Sequence, residues 1–179
     1  FIMKIYDPRY YGKLNSSVFS LNGGFIGIDL ESSGISKNAF PIEVGWYGSG
    51  LEGSILIKPT QEWLSSGFWC EFAESNLHGI SKVLLNQKGL EVKLAALTLN
   101  EALKDKVVVS DIVEFDGIWL TQLYEQADIN PSFRLIGYQD QNEFRKRTGG
   151  YFPRVLKSST EKSHRALEDA KWLYNKNKG

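Results

Sequence analysis

Gly27-Ile28-Asp29-Leu30-Glu31-Ser32-Ser33 is the stretch whose reading decides the rest of the chain. Ile26, Ile28 and Leu30 are apolar and alternate with Gly27, Asp29 and Glu31. A β-strand turns successive side chains to opposite faces, so both carboxylates project from one face, roughly 7 Å apart along the strand. Two acids on a covered sheet face are costly unless a partner compensates their charge. A divalent cation between them removes that cost. A strand end whose acids point into water is the plainer reading, and the pair alone does not separate the two.

Working outward, Gly23-Gly24 introduces a strand over Phe25–Leu30, and Ile42–Tyr47 and Ser54–Ile57 read as two more. Gly48-Ser49-Gly50 and Pro59 bound them, which makes an antiparallel meander. A helical pattern follows. Val92, Leu94, Ala95, Ala96, Leu97, Leu99, Ala102 and Leu103 form an apolar stripe, with Asn100, Glu101 and Lys104 on the other side. Val107–Val109 reads as a buried strand and Phe115–Ala127 as a helix that turns Trp119, Leu120, Leu123 and Tyr124 inward, closed at Asn130-Pro131. Arg134–Tyr138 is a last strand, and Ser163–Asn175 a last helix with Ala166, Leu167, Ala170, Leu173 and Tyr174 along its stripe. Strands first, then alternating helices and strands, imply an α/β architecture with a mixed sheet.

Composition agrees with one folded unit. The 179 residues suit a single domain, and a 42% apolar fraction argues against disorder. Cys70 is the lone cysteine, so neither an intrachain disulfide nor a cysteine-based zinc site can form, which suits a reducing compartment. Phe1–Gly12 lacks the basic start and apolar centre of a signal peptide, and no apolar run approaches the roughly 20 residues that cross a bilayer. The expected location is cytoplasmic, with no membrane partner. With 21 basic and 21 acidic residues, net charge exerts no bulk pull on nucleic acid, so a local patch must hold any such partner.

Two further elements carry acids. In Val107-Val108-Val109-Ser110-Asp111-Ile112-Val113-Glu114-Phe115-Asp116 a buried strand runs through a loop into a helix. Asp116 falls near the first helical turn, where the dipole favours an anion, at the carboxyl end of a strand where α/β sheets place ligands. A plain helix cap explains it equally, and Asp111 and Glu114 compete with it. Asp116 is preferred because Phe115 and Trp119 anchor its turn against the core. The other element is Ser163-His164-Arg165-Ala166-Leu167-Glu168-Asp169-Ala170. Five helical positions turn about 500°, leaving the two side chains roughly 140° apart. His164 and Asp169 share a cleft only if His164 sits at the entry to the helix and Asp169 well inside it. The polar run Ser158–Ser163 supports that entry, and Ala166 and Ala170 place Asp169 near the buried stripe. A capping histidine and an ordinary surface acid is the alternative.

Together these residues say more than they do separately. Four carboxylates on three separated elements are a donor set for two divalent ions, because Mg²⁺ and Mn²⁺ prefer oxygen ligands. Two such ions clamp the attacking water and the leaving oxygen of a phosphodiester. Histidine, which ordinarily titrates near neutral pH, is suited to take the water's proton.

The order D-x-E, then an aromatic-Asp pair opening a helix, then His-x4-Asp resembles the DEDDh family of 3′-to-5′ exonucleases, which includes proofreading subunits and oligoribonuclease. The likeness runs from Phe25 to about Tyr174, and His164-Arg165-Ala166-Leu167-Glu168-Asp169-Ala170 is its most specific part. The resemblance implies a ribonuclease H-like fold with a five-stranded mixed sheet and the site at its carboxyl edge. It implies that Asp29, Glu31, Asp116 and Asp169 ligate two Mg²⁺ or Mn²⁺ ions and that His164 is the general base. It further implies substrate contacts at Leu30, Ser32, His78, Ile80 and Arg165, since His78-Gly79-Ile80 is similar to a family segment that packs near the substrate's 3′ end. A structural helix-turn histidine remains the other reading of His78. One departure stands out: many members carry a His-Asn pair a few residues before the middle aspartate, and Ser110-Asp111-Ile112 has none.

The implied activity is hydrolysis of single-stranded DNA or RNA 3′ ends to nucleoside 5′-monophosphates, in one domain over residues 1–179 with its core at 24–175. An oligoribonuclease-like enzyme on very short RNA and a non-catalytic nucleic-acid-binding module are the competing readings. Arg145, Lys146, Arg147, Arg154, Lys157, Lys162 and Arg165 form a basic segment able to offset phosphate charge, or a solvated surface. Trp63, Phe68, Trp69 and Phe72 suit base stacking, though core packing explains most of them better. Trp172 and Tyr174 are compatible with a homodimer contact and equally with a helix docked on its own sheet.

Overall fold

The structure is a computed structural model, and it describes residues 26–36, 38–137 and 163–177. Phe25, Tyr138 and the basic segment up to Lys162 lie outside the described residues. Five strands form one sheet in the order β3-β2-β1-β4-β5. They are β1 (Ile26–Ser32), β2 (Pro41–Gly48), β3 (Leu51–Leu56), β4 (Val107–Ser110) and β5 (Arg134–Gly137). β1–β2 and β2–β3 are antiparallel, whereas β1–β4 and β4–β5 are parallel, so the expected mixed α/β sheet is present.

The meander closes through Ser49 and Gly50, both at positive φ (52° and 79°), between the paired residues Gly48 and Leu51. Two left-handed residues match the twist of a tight hairpin, and glycine tolerates that conformation at no steric cost. Helices α1 (Gln61–Ser66), α2 (Glu71–Ala73) and α3 (Lys82–Lys88) follow, with a π-helical turn at Glu74–His78 between α2 and α3. Thr60 and Ser81 cap α1 and α3 by accepting the amide hydrogens of Trp63 and Leu84.

The larger helices are α4 (Val92–Ala102), α5 (Val113–Ala127) and α6 (Ala166–Asn177). Trp119, Leu120, Leu123 and Tyr124 of α5 are all buried, as their spacing predicts. The α4 stripe is narrower than expected. Val92, Ala95, Ala96 and Leu99 are buried, while Leu94 and Leu97 are about half exposed at 51% and 48%. Only one arc of α4 meets the core, and the apolar residues outnumber the positions on that arc. Asn100 is not simply turned to water: its side chain accepts from the Tyr124 hydroxyl and the Ser132 amide and donates to the Asn130 carbonyl. It therefore ties α4 to the segment that enters β5.

The two sheet faces differ. Ile28, Leu30, Ile42, Val44 and Trp46 join the hydrophobic core with residues of α4 and α5. The other face carries Gly27, Asp29 and Glu31 of β1, paired with Tyr47, Gly45 and Glu43 of β2. Helix α6 lies on it at backbone range. A methyl group on Gly45 would fall 2.2 Å from the Leu167 nitrogen, and one on Gly27 would fall 2.9 Å from the Ala170 carbonyl oxygen. Tyr174 packs edge-on against Tyr47, with ring centroids 5.3 Å apart, which accounts for it by docking on its own sheet. Among the described residues, no helix is long and apolar enough to cross a membrane.

Candidate metal centre

Two parallel strands set the position of the first acids. Gly27 pairs with Val109, and two residues further along each strand come Asp29 and Asp111, just past the end of β4 at Ser110. α5 then brings Asp116 alongside from its first turn. One carboxylate oxygen from each of Asp29, Asp111 and Asp116 lies within 4.8 Å of the others. Asp29 and Asp116 are only 6% and 4% exposed. The fully buried Ser110 hydroxyl donates to Asp116 Oδ2 and accepts from the Ile112 amide, so it fixes both the acid and the turn before it. Phe115 stacks on Trp119 at 5.6 Å, anchoring that turn as the sequence suggests.

Asp111 and Asp116 therefore do not exclude one another. Both face Asp29, whereas Glu114 belongs to neither acid group among the described residues.

The second group is Glu31, His164 and Asp169, again with one donor atom each within 4.8 Å of the others. Here the geometry comes from the entry to α6. His164 has φ 55°, a left-handed conformation uncommon for non-glycine residues, although histidine is among those that adopt it more readily. Asp169, 2% exposed, braces the segment in that conformation. Its Oδ1 accepts from the Ser163 amide (2.9 Å) and hydroxyl (3.1 Å), and its Oδ2 accepts from the His164 amide (3.1 Å). The predicted arrangement, with His164 outside the helix and Asp169 inside it, is the one observed.

Glu43 was not anticipated. It is 2% exposed, opposite Glu31 in register, and accepts Arg165 Nε at 3.0 Å, Arg165 Nη2 at 2.7 Å and the Ala166 amide at 3.0 Å. The available signal was an acid within the apolar strand Pro41-Ile42-Glu43-Val44, on the same alternating face as its partner strand's acids.

The remaining substrate candidates occupy varied places. Leu30 and Ile80 are core residues, 4% and 0% exposed. The buried Ser32 hydroxyl donates to the Gly34 carbonyl at 2.8 Å. Arg165 is half exposed and engaged with Glu43. His78, 5% exposed, accepts the Ile80 amide at Nδ1 (3.0 Å), a local turn bond. That bond assigns the proton of its neutral ring to Nε2, which is buried with no hydrogen-bond partner among the described residues. Burial holds its pKa below 6.5 against the opposing pull of Glu74 and Glu43. Trp63 is buried and stacked on Phe40, while Phe68 and Phe72 are 43% and 65% exposed.

The donors are carboxylate oxygens with one imidazole, a hard, oxygen-rich set that fits Mg²⁺ or Mn²⁺. Buried acids converging this closely call for positive charge among them.

No family model and no curated sequence matches the chain. Solved structures do. Exonuclease I from Methylocaldum szegediense aligns with 82% of this chain and 38% of its own length, at a TM-score of 0.60 and 13% identity. A product-bound exonuclease I aligns with 69% of this chain at 0.54 and 14% identity. The zinc-bound complex of E. coli exonuclease I with single-stranded DNA aligns with 69% at 0.54 and 13% identity. The chain spans between 30% and 38% of the M. szegediense and E. coli proteins. At such identities the likeness establishes the fold, which is ribonuclease H-like.

Proposed function

We propose that this chain is a single metal-dependent 3′-to-5′ exonuclease domain of the DEDDh type. It would hydrolyse single-stranded nucleic acid ends to nucleoside 5′-monophosphates. The observation that carries this reading is the meeting of Asp29, Glu31, Asp116, Asp169 and His164, from β1, α5 and the α6 entry, in two adjoining donor groups. The fold shared with exonuclease I, one of whose structures holds single-stranded DNA, supports it.

In this reading Asp29, Glu31, Asp116 and Asp169 hold two ions, Mg²⁺ or Mn²⁺. When bound, these supply charge neutralisation at the scissile phosphate and acidify the attacking water. The protein's own groups do the rest. His164 takes the water's proton, and its place outside the helix lets it move without disturbing α6. Asp169 fixes the backbone on which His164 turns. Ser110 keeps the Asp116 carboxylate aimed at Asp29. The buried Nε2–H of His78 is a hydrogen-bond donor kept in reserve for the 3′ end of a substrate. Exposed Phe68 and Phe72 offer rings for unpaired bases.

Incubation of the purified protein with 5′-labelled oligonucleotides and Mg²⁺ or Mn²⁺ tests the proposal. Stepwise shortening from the 3′ end with release of 5′-monophosphates is expected, and an Asp29→Ala variant should be inactive. Absence of shortening, or equal shortening by the variant, would overturn it. Running two-residue and longer DNA and RNA substrates in parallel identifies the polymer.

A further inference from the structure

Helix α6 is capped from outside. The Arg165 carbonyl accepts its first helical hydrogen bond, from the Asp169 amide at 2.9 Å, which puts Arg165 at the capping position. Caps are normally short side chains that accept an amide hydrogen, and a guanidinium only donates. The acceptor comes instead from strand β2, 123 residues away. Glu43, 2% exposed, takes the Ala166 amide on Oε2 at 3.0 Å, and the same oxygen takes Arg165 Nε at 3.0 Å. Its Oε1 takes Arg165 Nη2 at 2.7 Å. A fork of this kind fixes direction as well as distance.

Two carboxylates therefore divide the helix entry between them. Ser163 and His164 donate to Asp169, while Arg165 and Ala166 donate to Glu43. His164 lies at the junction in its left-handed conformation, with its neighbours held on either side. Asp169 is a proposed metal ligand, whereas Glu43 belongs to neither donor group among the described residues. Strand pairing also anchors Glu43 independently of α6, opposite Glu31, and Gly45 two residues along leaves the room that the Leu167 backbone occupies. We propose that Glu43 is a positioning residue that caps α6 from the sheet and so sets where the His164 imidazole stands against Glu31 and Asp169. The inference rests on the exonuclease reading above, in which His164 takes the water's proton, and deepens it. Reach matters here more than charge. A carboxylate that stops short of the Ala166 amide leaves the entry free to shift, whereas a neutral acceptor at the same place holds it.

Two substitutions separate reach from charge. Glu43→Gln keeps the length, and its carbonyl oxygen can still take both the Ala166 amide and Arg165 Nε. Glu43→Asp keeps the charge and withdraws the acceptor by one methylene. Rates on a 5′-labelled oligonucleotide are read well below each variant's melting temperature. In Glu43→Asp, kcat and kcat/KM should fall together by about 10²-fold, the cost of a displacement near 1 Å. Glu43→Gln should stay within about tenfold of wild type, the scale of a single hydrogen bond. KM, and Mn²⁺ affinity measured by calorimetry without nucleic acid, should stay at the wild-type level in both. An ion pair that merely docks α6 predicts the opposite order, with Glu43→Asp the more active. That order overturns the proposal, and so does a wild-type kcat in Glu43→Asp. A loss of Mn²⁺ affinity alongside kcat also overturns it, because α6 would then be carrying Asp169 off the sheet. If Glu43→Asp loses its cooperative melt, Glu43→Met decides, since it matches glutamine in length and charge and lacks only a comparable acceptor. Positioning predicts a kcat about 10²-fold below that of Glu43→Gln, and equal rates overturn it. A wild-type protein that shortens no oligonucleotide overturns the exonuclease reading and this inference together, whereas an active wild type with any of these contrary outcomes overturns the inference alone.

Discussion

The two acid groups are built by different means. Asp29 and Asp116 sit on regular elements that local sequence defines, a strand and the first turn of α5, and Asp111 lies in the short turn between β4 and α5. A hydroxyl six residues away in sequence steadies Asp116, and an i,i+4 aromatic stack holds its turn. Glu31, His164 and Asp169 depend on a helix that reaches the sheet from far along the chain. Glu43 fastens Arg165 across 122 residues, and α6 can approach only because Gly27 and Gly45 leave room. One group rests on paired strands and a helix start; the other rests on a docked helix and holds a left-handed histidine in place. Changes in the first group should therefore remove chemistry and spare the fold. Changes behind the second should cost both.

The largest effect is expected at the residue that opens the first group. Asp29→Ala should lower kcat by about 10³-fold or more, since metal-ion catalysis is worth several kcal/mol of barrier. The melting temperature should change little or rise, because a buried charge has left a crowded acid group. A matched loss of stability would mean that Asp29 is structural. Gly45→Ala tests the contrast from the other side. The added methyl meets backbone atoms of Ala166 and Leu167 at 2.3 Å and 2.2 Å, so α6 itself must move. Stability should fall by about 1–3 kcal/mol, the cost of overpacking. Activity should fall about 10²-fold, as expected for a displacement near 1 Å, without any ligand being changed. Thermal melts paired with single-turnover assays separate these two patterns.

The same contrast explains what was legible in the sequence. Period-two alternation placed Asp29 and Glu31 on one face, and a helix start placed Asp116 near the carboxyl end of β4. Both signals act over a few residues. The His164–Asp169 geometry was also readable, because a five-residue spacing admits a shared cleft only with the histidine outside the helix. Glu43 and Ser110 were missed for a common reason. Neither carries a period, because each is a single acid or serine within an apolar strand; Glu43 acts through Arg165, a partner 122 residues away, and Ser110 through the turn that carries the Asp116 carboxylate back to it. The α4 stripe erred in the opposite direction. Leu94 and Leu97 are apolar, but which arc of a helix meets the core depends on its neighbours, and apolar residues are common on surfaces. The ribonuclease H-like fold that the resemblance implied is the one observed, while the order of strands in its sheet is not something pairwise spacing supplies.

A smaller effect is expected from two serines that look alike in sequence. Ser110→Ala removes the hydroxyl that Asp116 accepts from and that the Ile112 amide donates to, inside a fully buried site. A hydrogen bond to an ionised group is worth about 1.5–3 kcal/mol, so kcat should drop roughly tenfold or more. Ser163→Ala removes only the hydroxyl, at 3.1 Å from Asp169 Oδ1, and the Ser163 amide keeps its own bond to the same oxygen at 2.9 Å. Its effect should be within about fivefold, since a partly exposed hydrogen bond contributes about 0.5–1 kcal/mol. Equal losses at the two positions would erase the distinction between a locally fixed acid and one held by backbone.

The smallest effect should appear at His78, in the pH dependence of stability. Burial holds its pKa below 6.5 in the folded protein, while the unfolded chain titrates at its ordinary value. Below pH 6.5 the unfolded state therefore binds more protons than the folded one, and stability declines as pH falls. Protonation is opposed by structure as well as by burial, because Nδ1 already accepts the Ile80 amide hydrogen and cannot carry a proton while it does so. His78→Asn keeps a side-chain acceptor near that position and does not titrate. Urea melts between pH 7 and 5 should show a shallower decline for His78→Asn than for wild type. The gap should stay within about 1.4 kcal/mol per pH unit, the limit for one proton. Parallel declines would mean that His78 protonates freely in the fold. Its ring would then be solvated and not a buried donor beside the second acid group.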